Sequence, residues 1–135
     1  MSMSHLTQTD VTVGVQATQA AYTQALDAGR VDEVLATFRD DATFEIPQFE
    51  VSAQGHAALR DYYTASTAEL NLRHVLANTM VSKPAADTVE SSSDVLVLMN
   101  GESGWALKMV GKYRDALRLV DGEWLFERRT LSFAM

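Results

Sequence analysis

The 135-residue sequence contains no cysteine. This absence excludes disulfides, thiolate nucleophiles and cysteine-ligated zinc sites, so any acid–base chemistry must come from His, Asp, Glu, Tyr or Lys. Basic residues are also scarce, since 11 Lys and Arg stand against 18 Asp and Glu, for a formal net charge of −7. That charge opposes binding to a phosphate backbone, which requires clustered cations. Nucleic acid is therefore not an expected partner.

Long hydrophobic runs are missing too. Nothing approaches the length of a membrane span, and the start, MSMSHLTQTD, lacks the basic and apolar regions of a signal peptide. We therefore expect no membrane partner and a cytoplasmic location. The length and the 47% hydrophobic content fit one globular domain over residues 1–135, with residues 1–9 expected to be flexible.

The first half of the chain predicts helices. Behind Asp10, the expected N-cap, apolar residues recur at the spacing of an amphipathic helix that ends near Gly29. The segment RVDEVLATFRDD predicts a second helix, and GHAALRDYYTASTAEL, opened by Gly55, predicts a third. Between them, ATFEIPQFEV is β-prone but contains Pro47, which predicts an edge strand or a bent one.

The second half predicts strands. Four β-prone runs cover residues 72–83, 88–99, 104–120 and 123–134. Asn100-Gly101 and Asp121-Gly122 are hairpin signals, which favour antiparallel pairing. Helices followed by a long meander predict an α+β fold, with a curved antiparallel sheet wrapped against about three N-terminal helices.

Four phrases occur in the order found in one known family: YTQALDAGRVDEVLATFRDDATFE, GHAALRDYY, RHVLAN and GKYRDALRLVDGEWLFERRTL. Together they resemble the SnoaL-like branch of the nuclear transport factor 2-like superfamily over nearly the whole chain. The resemblance implies a single cone-shaped, cystatin-like domain with a pocket. One similar group contains scytalone dehydratase, bile-acid dehydratase and hexachlorocyclohexane dehydrochlorinase, in which a helix-end Asp and a strand His perform elimination. Another contains the structural small (β) subunits of aromatic-ring-hydroxylating dioxygenases.

Carried over to this chain, the dehydratase pattern implies three catalytic residues, Tyr22, Asp27 and His74. His74 would move a proton, Asp27 would orient the imidazole, and Tyr22 would stabilise a developing oxyanion. The further polar residue that such enzymes often use has no clear counterpart, because Val97 lies near its place and Asp94 is out of phase.

From the residues alone, each role has an ordinary structural alternative. His74 is equally consistent with a hydrogen-bonded, half-buried histidine, and Asp27 with a surface aspartate at a helix end. Tyr22 precedes Asp27 by five residues, about 140° around a straight helix, so the spacing does not place both in one pocket. Tyr22 also suits a helix–sheet core.

Further residues are candidates for substrate contact. Strand alternation puts Asn78 on the same face as His74, where it would either make a polar contact deeper in the pocket or pair with a backbone group. Neither face of this strand is cleanly polar, so both are expected to be covered. The other expected substrate-binding residues, as pocket wall or core, are Phe44, Tyr62, Tyr63, Met109 and Tyr113, with Trp105 as another aromatic in the same class.

The remaining basic and imidazole side chains predict no metal site. His5 and His56 lack a partner at metal-ligand spacing. Arg128 and Arg129 face opposite sides of a strand, so one is expected to meet a carboxylate or a subunit neighbour and the other to be solvated.

We therefore expect a cofactor-independent lyase or isomerase of dehydratase type, acting on a hydrophobic cyclic molecule such as a steroid or polyketide. The alternative is a non-catalytic ligand-binding protein or a dioxygenase β subunit. By analogy, and because a broad sheet needs cover on both faces, we expect a homodimer through the outer face of the sheet.

Overall fold

The computed structural model describes residues 5–69 and 71–134, so residues 1–4 of the predicted flexible segment lie outside it. The helices are α1 (Gln8–Asp27), α2 (Val31–Leu35) and α3 (Gly55–Ser66). The strands are β1 (Phe38–Ile46), β2 (Val51–Gln54), β3 (Leu72–Val81), β4 (Thr88–Gly101), β5 (Gly104–Val120) and β6 (Glu123–Phe133). Within these ranges no helix combines the length and apolar character that membrane crossing requires. The α+β prediction is confirmed.

Helix α1 begins earlier than predicted, because Thr7 rather than Asp10 is the N-cap. The Thr7 hydroxyl accepts a hydrogen bond from the Asp10 N–H at 3.0 Å, and the Asp10 carboxylate accepts one from the Thr7 N–H at 2.9 Å. This reciprocal capping box satisfies two of the N–H groups that a helix start leaves free. Since the helix includes Gln8, the predicted flexible segment does not extend to residue 9.

The end of α1 matches its prediction. The helix stops at Asp27, Ala28 caps it through its N–H, and Gly29 follows with φ of 70°. Glycine adopts this left-handed conformation without the Cβ clash that other residues suffer. Because the chain reverses at Gly29, Asp27 lies in the last helical turn of α1.

The strands form one six-stranded sheet in the order β2-β1-β6-β5-β4-β3. All neighbouring pairs are antiparallel except β1 and β6, which run parallel, so the sheet is mixed. The predicted meander from β3 to β6 is antiparallel throughout. The parallel pair forms between strands that are far apart in the sequence. The meander follows β1 in the chain, and its last strand, β6, lies beside β1.

The two predicted hairpins form, with one shift in turn position. Asp121 and Gly122 make the two-residue turn between β5 and β6, both with positive φ. Between β4 and β5, Asn100 and Gly101 are still paired in the ladder, so the turn lies after them and Gly104 carries the positive φ. Such turns match the right-handed twist of the strands they join.

Pro47 separates β1 from β2, as predicted. It opens a short 3-10 turn, Pro47–Phe49, and Glu50 reverses the chain with φ of 56°. Strand β2 then lies at one edge of the sheet and β3 at the other. The edge position of β3 matters for the site, because its outward N–H groups need partners that the sheet does not supply.

The inner face of the sheet packs against the helices. Helix α1 buries Val11, Val15, Gln19, Tyr22 and Ala25, and α3 buries Leu59 and Tyr63. These side chains meet inward residues of the strands, among them Phe38, Phe44, Tyr113 and Phe126. The core therefore contains a cluster of aromatic rings near the C-terminal end of α1.

No element in the described ranges covers the outer face of β3, β4 and β5, so the expected cover does not come from within the chain. Its exposed apolar residues include Val75, Leu96, Trp105, Leu107 and Val110. Trp105 and Leu107 are 50% and 57% exposed. Alternation correctly identified two semi-apolar faces on β3, but the single chain supplies cover for one only.

Candidate active site

A cavity of about 220 Å³ lies between the C-terminal end of α1, helix α3 and the inner face of the sheet. All three residues predicted to be catalytic, Tyr22, Asp27 and His74, line it. So do five of the six predicted contact residues, Phe44, Tyr62, Tyr63, Met109 and Tyr113. The sequence candidates therefore share one site, with two exceptions: Trp105 is 50% exposed on the outer face of the sheet, and Asn78 also lies outside the cavity.

Asn78 does not line the cavity that the other candidates share. The register of β3 against β4 shifts between Ala77 and Met80, and Asn78 sits in this bulge with φ of 56°. A bulge breaks strand alternation and re-aims the side chains beyond it. The Asn78 amide is exposed and donates a hydrogen bond to Asp94 at 2.8 Å.

Asp27 and His74 contact each other at the cavity wall. The Oδ1 atom of Asp27 lies 2.7 Å from Nδ1 of the His74 ring, and its Oδ2 atom accepts the His74 backbone N–H at 3.0 Å. Both side chains are largely buried, at 11% and 14% exposure. Asp27 thus anchors the end of α1 to the edge strand β3 as well as to the ring.

This arrangement sets the tautomer of His74. A carboxylate is only an acceptor, so the ring nitrogen that faces it carries the proton. The opposite nitrogen, Nε2, then has a free lone pair. If Nε2 took a proton, the adjacent carboxylate would stabilise the resulting imidazolium. The pair can therefore serve as a general base.

Tyr22 reaches the same cavity despite its unfavourable spacing from Asp27. Tyr22 and Leu26, four residues apart and so on one side of α1, line the cavity together with Asp27 from the last turn of the helix. The Tyr22 hydroxyl lies 2.7 Å from the Tyr63 hydroxyl. Burial raises the pKa of both tyrosines well above the ordinary value of 10.0. Both hydroxyls are therefore neutral donors at physiological pH.

The remaining walls are mainly apolar. The rings of Phe44 and Tyr62 lie 5.2 Å apart, and the Tyr63 ring is 5.5 Å from Phe44. Val97 faces the site beside His74, its partner across the β3–β4 ladder. The place where related dehydratases often carry a polar residue is thus apolar here.

Several lining residues did not emerge from the sequence. They are Leu26, Ile46, Ser66, Thr67, Glu69, Leu72, Val97, Lys108, Leu131 and Phe133. Leu131 and Phe133 share one face of β6, the face that is turned towards Tyr22. Strand alternation would therefore have predicted both of them. Lys108 had no such signal, because it lies at a bulge where the β4–β5 register shifts.

The two adjacent arginines of β6 separate as predicted. Arg129 is fully buried and its Nε lies 3.3 Å from the Asp115 carboxylate, whereas Arg128 is exposed and lies 3.7 Å from Glu45. His56 contacts the Phe38 carbonyl at 3.1 Å, away from the cavity. Among residues 5–69 and 71–134 there is no cluster of three or more His, Asp or Glu side chains arranged to hold a metal ion.

Comparison with known proteins identifies relatives of this chain. A family model described as SnoaL-like domain matches residues 8–130. A variant of Rv3472, a protein of unknown function from Mycobacterium tuberculosis, superposes with a TM-score of 0.87 at 24% identity, covering 94% of this chain and 73% of that one. At this level of identity the likeness shows a shared fold.

Two further structures come from Novosphingobium aromaticivorans. A provisionally named scytalone dehydratase gives a TM-score of 0.79 at 22% identity, covering 92% of this chain and 84% of that one. The β subunit of a provisionally named aromatic-ring-hydroxylating dioxygenase gives 0.78 at 20% identity, covering 91% and 88%. Both groups that the sequence resembles therefore share this fold.

Proposed function

The chain belongs to the SnoaL-like domain family, and on that premise we propose that it is a cofactor-independent lyase or isomerase of dehydratase type. The observation that carries the proposal is the contact between Asp27 and His74 at the wall of a largely apolar cavity. A hydrophobic cyclic molecule with a carbonyl group is the substrate class that fits this chemistry.

In the proposed reaction, His74 Nε2 removes a proton from the carbon beside the substrate carbonyl. The C–H bond breaks, its electron pair forms a carbon–carbon double bond, and negative charge moves to the carbonyl oxygen. In a lyase the charge returns to expel a leaving group, which takes the proton from the imidazolium. In an isomerase the same proton returns to a different carbon. Every proton is moved by side chains of this chain.

Tyr22 and Tyr63 would stabilise the oxygen that gains charge. Their hydroxyls bond to each other, which uses one of the two protons and leaves the other for a third acceptor. Because both hydroxyls are buried, such a hydrogen bond would act in a medium of low dielectric constant. The cavity also excludes water that would compete for the proton.

The size of the cavity limits the enclosed part of the substrate. A dry cavity of roughly 150 Å³ accommodates a benzene molecule. The 220 Å³ found here therefore suits about one or two rings with small substituents. A steroid would have to leave part of its skeleton outside, which favours the smaller cyclic ketones among the expected substrates.

The test is a screen of cyclic hydroxyketones for elimination and of cyclic enones for double-bond migration, followed by ultraviolet absorbance. Proton removal alone is measured as deuterium uptake beside the carbonyl in heavy water. His74→Ala should reduce either rate roughly 10²- to 10⁴-fold. His5→Ala, an exposed histidine outside the cavity, is the matched control and should leave both rates unchanged. Wild-type activity that survives His74→Ala would rule out this mechanism.

A homodimer through the outer face of the sheet is the second part of the proposal. The exposed apolar residues named above for the outer face of β3, β4 and β5 supply a surface of the kind that marks protein contacts. Leu107→Glu should convert the dimer to a monomer in sedimentation. Val13→Glu, at an apolar residue of α1 that is 59% exposed, should not. A wild type that sediments as a monomer would contradict the dimer.

The same exposed face favours a second candidate function, that of a structural β subunit, since a larger chain could cover it instead. This candidate predicts that the protein purifies as a stable assembly with a larger, iron-containing chain. It also predicts that His74→Ala leaves the activity of that assembly unchanged. A stable homodimer with its own eliminating activity would count against it.

A further inference from the structure

Behind the tyrosines of the cavity lies a buried positive charge that the proposed reaction does not use. The side chain of Arg129 is 0% exposed. Its guanidinium carbon lies 3.5 Å from the ring centroid of Tyr113, 4.3 Å from that of Tyr22 and 4.4 Å from that of Phe126. Two of these three rings line the cavity. The charge is thus one aromatic ring away from a bound ligand.

The guanidinium has few hydrogen bonds to hold it. Its contact with Asp115 has an orientation that makes no hydrogen bond, so Nε, Nη1 and Nη2 all lack an acceptor among the described residues. Burial of a charge without hydrogen bonds is costly, and π faces offset only part of that cost. The guanidinium is thus paired with one carboxylate and packed on aromatic rings, two of which line the cavity.

The counter-charge lies on the other side of Arg129. Asp115 contacts Gln19 and Ser91 at 3.4 Å each, and none of these three residues lines the cavity. Burial on its own lowers the pKa of the guanidinium, and the neighbouring acidic groups, Asp115 first, raise it above its ordinary value. Arg129 therefore stays charged, and it is the member of the pair whose charge packs on two rings that line the cavity.

We propose that Arg129 is a positioning residue that holds Tyr22 and Tyr113 through their ring faces and makes the cavity selective for ligands whose oxygen carries negative charge. The inference rests on the proposed function and names its ligand class further, as cyclic enolates and phenolates. The ligand oxygen accepts hydrogen bonds from the tyrosine hydroxyls, and the guanidinium behind the rings stabilises the negative charge on that oxygen.

Two opposing effects make the proposal testable. Burial in an apolar cavity disfavours a charged ligand and raises the pKa of a bound phenol. A fixed positive charge favours the anion and lowers that pKa. Within the protein the same opposition is visible, since burial raises the pKa of Tyr22 and of Tyr63, and Arg129 acts against both rises. A bound phenol reports which effect is larger for a ligand.

The experiment titrates 4-nitrophenol, whose phenolate absorbs visible light, in the presence of excess protein. We expect the pKa of the bound phenol to fall by about one unit or more below its value in water, which means that the phenolate binds at least about tenfold more tightly than the phenol. A bound pKa equal to or above the free value, or no binding, would overturn the inference. This result needs no variant and no turnover.

Variants then locate the charge responsible. Arg129→Met should abolish the preference for phenolate, and Arg129→Lys should restore part of it. If Arg129→Met does not fold by circular dichroism, the wild-type titration and Arg129→Lys still decide. The other basic side chains at the cavity, His74 and Lys108, must be excluded as the source. Loss of the preference in His74→Ala or Lys108→Met, with Arg129→Met unaffected, would refute the assignment.

Failure of this inference and failure of the proposed function look different. A cavity that binds neutral phenol, in a protein that exchanges substrate protons through His74, leaves the lyase or isomerase intact and removes Arg129 from it. A cavity that prefers phenolate, in a protein without any proton exchange, supports the ligand class and rejects catalysis.

Discussion

Replacement of Asp27 tests whether the carboxylate joins α1 to β3, and no substrate is needed. Asp27→Ala removes the acceptor of two hydrogen bonds from His74, one from the backbone N–H and one from the ring. A hydrogen bond to an ionised acceptor contributes about 1.5–3 kcal/mol. Since both side chains keep slight solvent access, water can replace part of this interaction. We expect Asp27→Ala to lower the free energy of unfolding by about 2–4 kcal/mol.

Asp27→Asn should cost less than Asp27→Ala, about 1 kcal/mol. The amide keeps an oxygen for the His74 backbone N–H, and its NH₂ group can donate to the ring once the ring adopts the other tautomer. Asp27→Asn therefore keeps most of the stability of the protein but reverses the tautomer of His74. In that tautomer Nε2 carries the proton and has no free lone pair. Asp27→Asn should therefore be folded and inactive, a combination that a purely structural aspartate would not give.

The assay is urea denaturation followed by fluorescence of Trp124, which is 3% exposed and reports on the core. Asp32→Ala provides the matched control, because the Asp32 side chain is 86% exposed and its one ion pair among the described residues is with Arg60 at the surface. Such a pair contributes at most about 1 kcal/mol. An Asp27→Ala variant no less stable than Asp32→Ala would refute the contact between α1 and β3, and with it the dyad.

Three further changes probe the fold. Gly111→Ala should cost about 1–3 kcal/mol in urea denaturation, because the new Cβ would lie 2.9 Å from the Ser132 carbonyl oxygen, whereas Gly101→Ala, with nothing within 4 Å, should be neutral. Asn78→Ala should cost about 1 kcal/mol and Asn78→Gly less, since the residue has φ of 56°. The Thr7 N–H and hydroxyl hold the pKa of Asp10 below 3.8, so the stabilisation by Asp10 is complete above that pH and is lost as the pH falls through the lowered value. Asp10→Asn should therefore lower the Tm at neutral pH and have no effect in strong acid.

Local signals predicted most of the fold. The capping residues and periodicity of α1, the break at Pro47 and the two-residue turn at Asp121 depend on neighbours in the sequence, and each is found in the structure within a few residues of its expected place. The parallel pairing of β1 with β6 joins residues 85 to 88 positions apart and has no local signal. Topology of that kind depends on how the whole sheet closes over the helices.

Bulges explain most of what the sequence could not give about the site. If the pairing of β5 with β6 continued from the Asp121 turn without a bulge, Asp115 would lie opposite Arg128. A shift between Ala116 and Leu117 instead brings Asp115 opposite Arg129. One extra residue thus decides which arginine is buried among the aromatic rings. The same kind of shift removes Asn78 from the cavity and places Lys108 in its wall.

The two oxygens of Asp27 separate the structural role of this residue from its proposed chemical role. Oδ2 accepts the backbone N–H of His74, and Oδ1 faces the imidazole. Asp27→Ala removes both contacts, so loss of activity in that variant has two explanations. His74→Ala removes only the ring and leaves its backbone N–H on Oδ2, so that the link between α1 and the edge strand survives. A His74→Ala protein that keeps its fold and loses proton exchange therefore assigns the loss to chemistry, because the strand would still be held in place.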